Sequence, residues 1–156
     1  MSMFGSIDTA ASGLTAERLR MAVISNNLAN ANTTRTAEGG AYHRRYVVFQ
    51  PREQNERNGF LGYLDREIRR KADRREQAQG NGVRAVAIQE DRTQGPLVYD
   101  PGNPDANAQG YVERPNVNPV AEMVDMITAS RGYEANVTTI QAAKSMAQQA
   151  LQIGRQ

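Results

Sequence analysis

The sequence predicts a mainly α protein with a small β-rich middle region, in which long N- and C-terminal helices pair as an antiparallel coiled coil. Three observations lead to this fold class. Both ends of the 156-residue chain have apolar side chains at helical spacing, and both ends are poor in charge. The segment between them holds short strand-like runs separated by turn residues. A chain that returns through such a segment places its second helix antiparallel to the first.

The N-terminal helix is expected to end near Ala31. Only four residues between Met3 and Ala31 are charged, so most of the helix circumference lacks the charged side chains typical of a face exposed to water. Gly13 lowers helix propensity by about 1 kcal/mol relative to alanine, which indicates either a close helix contact or simple tolerance. The apolar stripe of this helix includes a column at every seventh residue and consists of Phe4, Ile7, Ala11, Leu14, Met21 and Leu28.

The middle region begins with turn residues at positions 32–40, which close the helix. The strand-like run YHRRYVVF follows at positions 42–49 and is ended by Pro51, and further strands are predicted at 83–91 and 97–99. Positions 100–110 are dense in Pro, Gly, Asn and Asp, which predicts a structured loop. Residues 111–116 should be extended, because Arg114 precedes Pro115 and the residue before a proline avoids the helical conformation.

A charged insert, about residues 52–82, interrupts this region. Eighteen of the 41 residues at positions 52–92 are charged, which fits a solvated helix or hairpin, or a disordered segment. A nucleic-acid-binding module is the alternative, because a basic cluster can neutralise phosphates. Acidic residues alternate with the basic ones, however, and the whole chain has a net charge of only +2, so a self-paired charged segment is favoured. The basic cluster comprises Arg66, Arg69, Arg70, Lys71, Arg74 and Arg75.

The C-terminal helix is predicted to begin at Pro119, with Asn118 as its N-cap, because proline has no amide hydrogen to leave unpaired in the first turn. Only six of the 39 residues from Asn118 onward are charged, and small or uncharged polar residues fill most of the circumference. Such a helix is suited to being surrounded by other helices, in a bundle or an assembly. Its apolar stripe consists of Met123, Met126, Tyr133, Val137, Ile140, Ala147 and Leu151.

These elements predict three regions: an N-terminal helix at 1–34, a β-rich middle at 35–117 and a C-terminal helix at 118–156, with the two helices forming one domain. Only 39% of the chain is hydrophobic, tryptophan is absent and the mean hydropathy is −0.66. This composition provides few apolar side chains from which a single chain could form a hydrophobic core. We therefore expect burial between subunits to complete the fold.

Composition also excludes several classes of protein. Cysteine is absent, which rules out disulfides, thiolate metal sites and cysteine nucleophiles. No apolar run approaches 18 residues, so no membrane span is expected. The N-terminus has neither a basic n-region nor an apolar h-region, so no cleavable secretory signal is expected.

Enzymatic chemistry finds little support in the sequence. His43 is the only histidine and sits in a basic strand-like run, where a surface or paired role is favoured over catalysis. A calcium loop is disfavoured because two prolines interrupt the oxygen-bearing residues and no glycine or terminal glutamate is correctly placed. Its residues would be Asp100, Asn103, Asp105 and Asn107. No catalytic residue, cofactor site or metal site is predicted.

Two groups of residues near the N-terminus resemble the flagellar rod and hook protein family. They are similar to that family's pattern "SGL-A … NN-AN … T", and the following sequence TRTAEGGAYHRR at positions 34–45 resembles its proximal rod members. The N-terminal motif residues are Ser12, Gly13, Asn26, Asn27, Asn30 and Thr33.

The C-terminal half resembles the same proximal rod members, with matching segments in the same order along the chain. The resemblance spans roughly residues 4–50 and 83–154, and the insert departs from it. The C-terminal motif residues are Asp100, Pro101, Gly110, Tyr111, Pro115, Asn116, Ser130, Arg131, Tyr133, Glu134 and Asn136.

The resemblance implies a structural role, with both apolar stripes as the assembly interface. It implies a subunit of the proximal rod of the bacterial flagellar basal body, a hollow drive shaft that transmits torque and encloses the export channel. The implied partners are copies of the chain, other rod proteins, the rod-to-membrane-ring junction protein and the flagellar type III export apparatus. The implied location is the periplasmic rod, reached without a cleavable signal. A coiled-coil adaptor that forms a closed oligomer is the remaining alternative.

Overall fold

The computed structural model describes residues 3–52 and 82–154, with side chains from Gly5 onward. Helix α1 spans Met3–Ala29 and helix α2 spans Pro119–Ile153. Four strands lie between them: β1 (Arg45–Pro51), β2 (Val83–Glu90), β3 (Leu97–Tyr99) and β4 (Tyr111–Glu113). The predicted class, mainly α with a small β region, is confirmed. The charged insert, including the basic cluster at 66–75, lies outside the described residues except at its two ends.

Helices α1 and α2 pack along much of their length and run in opposite directions. Gly13 lies against Asn136, Glu17 against Gly132 and Asn27 against Glu122, so residue numbers rise on one helix as they fall on the other. The regular knobs-into-holes packing of a coiled coil stays a prediction.

The seam between the helices is made of small residues. Ala10, Ala129 and Ala143 are buried on the sides of the two helices that meet in it. A Cβ at Gly13 would lie 2.8 Å from Nδ2 of Asn136, so this glycine serves a close helix contact, one of the two readings of the sequence. Small side chains bring the backbones together and leave the bulkier stripes at the flanks of the seam.

The start of α2 is as predicted. Asn118 is its N-cap, and its Oδ1 accepts hydrogen bonds from the backbone N–H groups of Val120 (3.0 Å) and Ala121 (3.3 Å). Pro119 occupies the first helical turn, where its missing N–H leaves no unpaired donor. The cap therefore fixes the point at which the β region passes into the helix.

Strands β1 and β2 form an antiparallel hairpin along α1. Their pairing runs from Arg45 opposite Glu90 to Pro51 opposite Val83, with a bulge between Val48 and Phe49. At the open end, the Val83 N–H donates to Oγ of Ser12 (3.0 Å) and Arg52 pairs with Asp8 (3.4 Å). These contacts hold the base of the insert against the N-terminal half of α1.

Strands β3 and β4 form a second antiparallel hairpin around the 100–110 loop. Gly110 has a φ of +80°, and a Cβ there would lie 2.9 Å from the ring of Tyr99, so glycine suits both its backbone and its space. The Tyr99 and Tyr111 rings meet edge to face, with centroids 5.3 Å apart. This hairpin leads directly into the cap of α2.

Several predicted boundaries were wrong by a few residues. Helix α1 ends at Ala29 rather than Ala31, and β1 begins at Arg45 rather than at position 42, because Tyr42 and Arg44 instead contact the helices. Pro51 belongs to β1, since the edge strand of a two-stranded sheet tolerates proline. Strand β2 stops at Glu90 rather than at position 91. Positions 111–113 of the segment predicted to be extended form β4.

Candidate assembly surfaces and a buried polar junction

The apolar stripe of α1 flanks the helix seam. Ile7, Leu14 and Met21 are half-buried, while Leu28 is exposed. With 3.6 residues per turn, this column lies on the side of α1 away from Ser12, Thr15 and Leu19, which line the cleft against the β hairpin. Ala11 is exposed between these two sides, and Phe4 has no described side chain. The column is thus a surface that neither the hairpin nor α2 fully covers.

The apolar stripe of α2 flanks the same seam. Its two end members, Met123 and Leu151, are exposed, and the members between them are half-buried. The half-buried residues are Met126, Tyr133, Val137, Ile140 and Ala147.

A second apolar surface on α2 was not predicted from the sequence. Val120, Val124 and Ile127 are exposed and lie on the side opposite the buried Ala129. Met146 and Ile153 are likewise exposed near the C-terminal end. The spacing of four and three residues between Val120, Val124 and Ile127 is present in the sequence, but these residues lie outside the single apolar stripe that was predicted for the helix.

A fully buried polar pair joins the two helices where the β region meets them. Asn27 and Glu122 are both 0% exposed, and Nδ2 of Asn27 donates to Oε2 of Glu122 at 2.9 Å. The same amide nitrogen donates to the carbonyl oxygen of Arg45 at 2.7 Å. Oδ1 of Asn27 accepts from the Tyr42 hydroxyl (3.0 Å) and the Arg45 N–H (2.9 Å). The amide therefore uses two donors and two acceptor positions, its whole capacity.

Arg44 supplies the positive charge that this buried carboxylate needs. Its Nε donates to Oε1 of Glu122 at 2.6 Å, and its terminal nitrogen contacts Asp125 at 3.3 Å. Arg20 of α1 contacts the other oxygen of Asp125 at 3.5 Å. A charge buried without a partner would be strongly unfavourable, so Arg44 makes the position of Glu122 tenable.

Hydrogen bonds of the Arg44 backbone connect it to the segment that leads into α2. Its N–H donates to Oδ1 of Asn116 at 2.7 Å, and its carbonyl oxygen accepts from the Asp91 N–H at 2.7 Å. Nδ2 of Asn116 donates to the carbonyl oxygens of Asp91 (2.8 Å) and Thr93 (3.0 Å). We call the side chains of Asn27, Tyr42, Arg44, Asn116 and Glu122 the polar junction.

Burial perturbs one titratable member of the polar junction. Loss of hydration raises the pKa of the Tyr42 hydroxyl above its usual 10.0. The nearby Arg45 charge opposes this rise, and the carboxylates of Glu90 and Glu122 add to it. The guanidinium of Arg45 also lies 5.8 Å from the centre of the Tyr42 ring. Tyr42 is therefore held neutral as a hydrogen-bond donor.

Alignments with known proteins that cover nearly the whole chain show its family. A family model for the flagella basal body rod protein matches residues 7–35, and a model for the flagellar basal body rod FlgEFG protein C-terminal region matches residues 108–153. A flagellar basal-body rod protein FlgC from Borreliella burgdorferi is 48% identical over 160 aligned residues, covering 98% of each chain. The chain belongs to the FlgC family of flagellar basal-body rod proteins.

Further FlgC relatives match over the same extent. The Bacillus subtilis protein is 43% identical over 159 residues, and the Escherichia coli O157:H7 protein is 37% identical over 155 residues. Each alignment covers 99% of this chain and 100% of the relative. The chain is accordingly a structural subunit of the flagellar basal-body rod and not an enzyme. None of these comparisons supports nucleic-acid binding or a closed adaptor.

Several of the residues predicted from the resemblance as motif residues make contacts within the chain. Asn27 and Asn116 belong to the polar junction, Gly13 and Asn136 meet across the seam, and Ser12 holds the hairpin. Other residues of this set close turns or are buried nearby. Asn30 and Thr33 are hydrogen-bonded to each other, and Asp100 donates its N–H to the Gly110 carbonyl. Tyr111 packs on Tyr99, and Pro115 is buried.

The remaining motif residues face outward or lie half-buried on the helices. Asn26, Pro101, Arg131 and Glu134 are exposed, while Ser130 and Tyr133 are half-buried. The part that these residues have in assembly stays a prediction.

The 100–110 loop is built from turns, as the residues predicted. Oδ1 of Asn103 accepts from the Asp105 N–H, and Oδ1 of Asn107 accepts from the Gln109 and Tyr111 N–H groups. Asp105 accepts the Thr34 hydroxyl at 2.8 Å and pairs with Arg35 at 3.4 Å, which fastens the loop to the segment after α1. The structure brings no three metal-ligating side chains together within residues 3–52 and 82–154.

His43 lies half-buried beside the polar junction. Its Nδ1 has no hydrogen-bond partner within the described part of the chain. Neither α1 nor α2 has an apolar stretch sufficient for crossing a membrane, over the residues that the structure describes.

Proposed function

We propose that this rod subunit polymerises through its two terminal helices into the hollow drive shaft of the flagellum. The two apolar stripes would form the assembly interface with copies of the chain and with other rod proteins. Within the assembly, the position that we propose for this subunit is the proximal rod, where the shaft transmits torque and encloses the export channel.

The apolar exposure of the paired helices is the observation that carries this proposal. Folding of the single chain leaves Leu28, Met123 and Leu151 exposed to 38%, 47% and 70%. Exposed aliphatic side chains repeated along both helices mark surfaces that other helices can cover. Low charge supports the same conclusion, since helices facing water normally have charged outer sides.

A shaft follows from such surfaces if the contacts are between unlike faces. Contacts that join two different surfaces propagate as an open helix when the rotation between subunits does not close. The closed adaptor would instead require a rotation that closes the ring. The division into regions 1–34, 35–117 and 118–156, with the helices as one coiled-coil domain, belongs to this proposal.

The remaining partners follow the family role. We expect contact with the rod-to-membrane-ring junction protein and passage through the flagellar type III export apparatus. Export through this apparatus would deliver the chain to the periplasmic rod.

A density map of the isolated basal body tests the proposal. The result expected is that α1 and α2 stand in the rod wall, with both chain ends toward the channel and both apolar stripes covered by neighbouring subunits. A map in which this chain lies outside the rod wall, or in which its stripes face solvent, would contradict the proposal.

A further inference from the structure

The way in which α2 is held changes along its length. Its first turns, residues 119–125, are held by polar bonds. Glu122 accepts from Asn27 of α1 at 2.9 Å and from Arg44 at 2.6 Å, and Arg44 also contacts Asp125 at 3.3 Å. Breaking such bonds would leave buried polar groups without partners, which is strongly unfavourable. We call residues 119–125 the junction section of α2, and it is the firmly held end of the helix pair.

The later turns of α2 meet α1 through close packing. A Cβ at Gly132 would lie 3.3 Å from both Cδ and Oε1 of Glu17, so this glycine leaves little more than the room that the carboxylate needs. One turn further on, the side chain of Asn136 packs on Gly13. We call residues 132–153 the distal section of α2.

The polar side chains of the distal section form hydrogen bonds with their own helix. Asn136, Thr138 and Thr139 each donate to the carbonyl oxygen four residues earlier, at 2.9 Å. Threonine bonds of this type slightly destabilise a helix, and they add nothing to its contact with α1. Among the helices and strands that the structure describes, α2 packs on α1 alone. Packing on α1 is therefore what holds the distal section in place.

Glu17 places an unmet polar atom within this packing. Its Oε2 is buried and accepts no hydrogen bond from the described part of the chain. Arg20 approaches this oxygen only to 4.0 Å and also contacts Asp125 at 3.5 Å. A carboxylate oxygen that loses water without gaining a donor weakens the folded arrangement. Because Gly132 lies on the same carboxylate, closure of the distal section contributes to this burial, and Glu17 opposes the closure.

Helix α1 is held from its other side by the β1–β2 hairpin. Oγ of Ser12 accepts the Val83 N–H at 3.0 Å, and Arg52 pairs with Asp8 at 3.4 Å. Ala16 is buried and lines the cleft between α1 and this hairpin. If the two helices separate, α2 therefore leaves α1, while α1 stays on the hairpin.

We propose that α2 is a hinged arm, in which the junction section stays on α1 while the distal section opens, and that Glu17 sets how readily it opens. One buried polar atom without a partner changes such an equilibrium by about tenfold. Gly132 lies at the level of Glu17 and has more conformational freedom than any other residue type, which suits a hinge. The inference concerns the free chain and does not depend on how the chain assembles in the rod.

Hydrogen exchange of the purified full-length chain tests the hinged arm, because it reports local opening segment by segment. Exchange is followed by mass spectrometry at low temperature in a stabilising osmolyte. In the wild-type chain, amides at 123–129 are expected to exchange about tenfold more slowly than those at 134–146. Glu17→Met removes the unmet oxygen and keeps an unbranched side chain, so it should slow exchange at 134–146 by about tenfold and leave 123–129 unchanged.

Glu134→Met is the matched control. Glu134 is exposed on the distal section itself, so losing its carboxylate relieves no buried oxygen and should change neither rate. Glu17→Gln keeps the shape of the side chain and removes its charge, so it should slow the same amides by a smaller factor, and it decides the test if Glu17→Met does not fold.

Two results would overturn the proposal. Uniform exchange along α2 in the wild-type chain, fast or slow, would show that the helix has no hinged arm. Exchange at 134–146 that is unchanged by the Glu17 variants, or slowed equally by Glu134→Met, would show that the buried carboxylate does not control the opening.

Discussion

At the scale of single residues, the polar junction explains why an asparagine and a glutamate are the most deeply buried large side chains of the described structure. Asn27 bonds α1 to the start of β1 and to α2, while Glu122 bonds both Asn27 and Arg44. A shift of one helix against the other would leave a buried charge without its partners. The junction therefore favours one register of the helix pair.

Glu122→Ala should lower the free energy of unfolding by about 2–3 kcal/mol, because one amide N–H of Asn27 and the Nε–H of Arg44 lose their acceptor in a buried site. Asp125→Ala is the matched control. The carboxylate of Asp125 is 37% exposed, so its loss should cost less than about 1 kcal/mol. Urea unfolding followed by circular dichroism, with an osmolyte where needed to hold the chain folded, measures both. Equal losses in the two variants would contradict the role given to the junction.

Tyr42 predicts a dependence on alkaline pH. Burial raises its pKa in the folded chain above 10.0, so the folded chain holds this proton more tightly than the unfolded chain does. The contribution of Tyr42 is complete below pH 10.0 and is lost as the pH rises through the folded pKa. Unfolding measured across this range should show the wild-type chain losing more stability than Tyr42→Phe. Parallel pH profiles for the two chains would count against this account.

Gly13 and Asn136 provide a test of the close helix contact. Gly13→Ala raises helix propensity, yet its Cβ would press on the Asn136 side chain, so a net loss of about 1 kcal/mol is expected. Adding Asn136→Ala makes room and should restore the stability. Thermal unfolding of the single and double variants, in an osmolyte that keeps the helix pair folded, measures the coupling. A stabilised Gly13→Ala chain would show that the helices do not need this approach.

At the scale of elements, α2 has two sections with different roles. The section up to Ala143 packs on α1, while the section after Met146 extends past the start of α1. Both were predicted as one helix with one stripe. That stripe consists of the bulkier residues, whereas the α2 side of the seam includes Ala129, Asn136 and Ala143, which are spaced by seven residues.

Truncation separates the two sections. A chain ending at residue 146 should keep the stability of the helix pair within about 0.5 kcal/mol, because the removed residues lie past the point of α2 that is opposite the start of α1. It should nevertheless fail to enter the rod, since Ile153 and Leu151 are lost. A chain ending at residue 142 also loses the buried Ala143 and should be less stable. Unfolding curves measure the stability of the two truncated chains, and the composition of isolated basal bodies shows whether each chain enters the rod. A motile strain whose chain ends at residue 146 would contradict the predicted failure to enter the rod.

The strands show what sequence patterns can and cannot fix. The run at 97–99 was placed correctly because turn residues bound it on both sides. Tyr42 and Arg44 were assigned to a strand on composition, but their side chains belong to the polar junction. Contacts with residues 15 and 78 positions away in the chain decide their conformation, and local propensity contains no information about such partners.

At the scale of the whole molecule, the class, the long helices and the family were accessible from the sequence. Low charge at both ends indicated helices that other helices surround, and the motif residues resembled rod proteins. The polar junction was not foreseen, although Asn27 and Asn116 were singled out as motif residues. The pairing of Glu122 with Arg44 was not predicted either, because it depends on the return of α2 to α1.

Helix order should increase on assembly. The described seam is narrow and made of small residues, so the free chain has little apolar burial to hold long helices in place. Circular dichroism of the purified monomer should show less helix than the structure contains, with a broad thermal transition. Full helicity and a sharp transition in the monomer would contradict this coupling.

The most direct test of the central claim is the accessibility of the helix stripes before and after assembly. Single cysteines at Leu28 and Met123, in a chain with none of its own, are treated with a maleimide reagent, with Gln94→Cys on an exposed segment outside the helices as a reference. The account predicts rapid labelling of both helix positions in the monomer and strong protection, relative to the reference, in isolated basal bodies. Equal labelling of Leu28→Cys and Met123→Cys in monomer and basal body would contradict it.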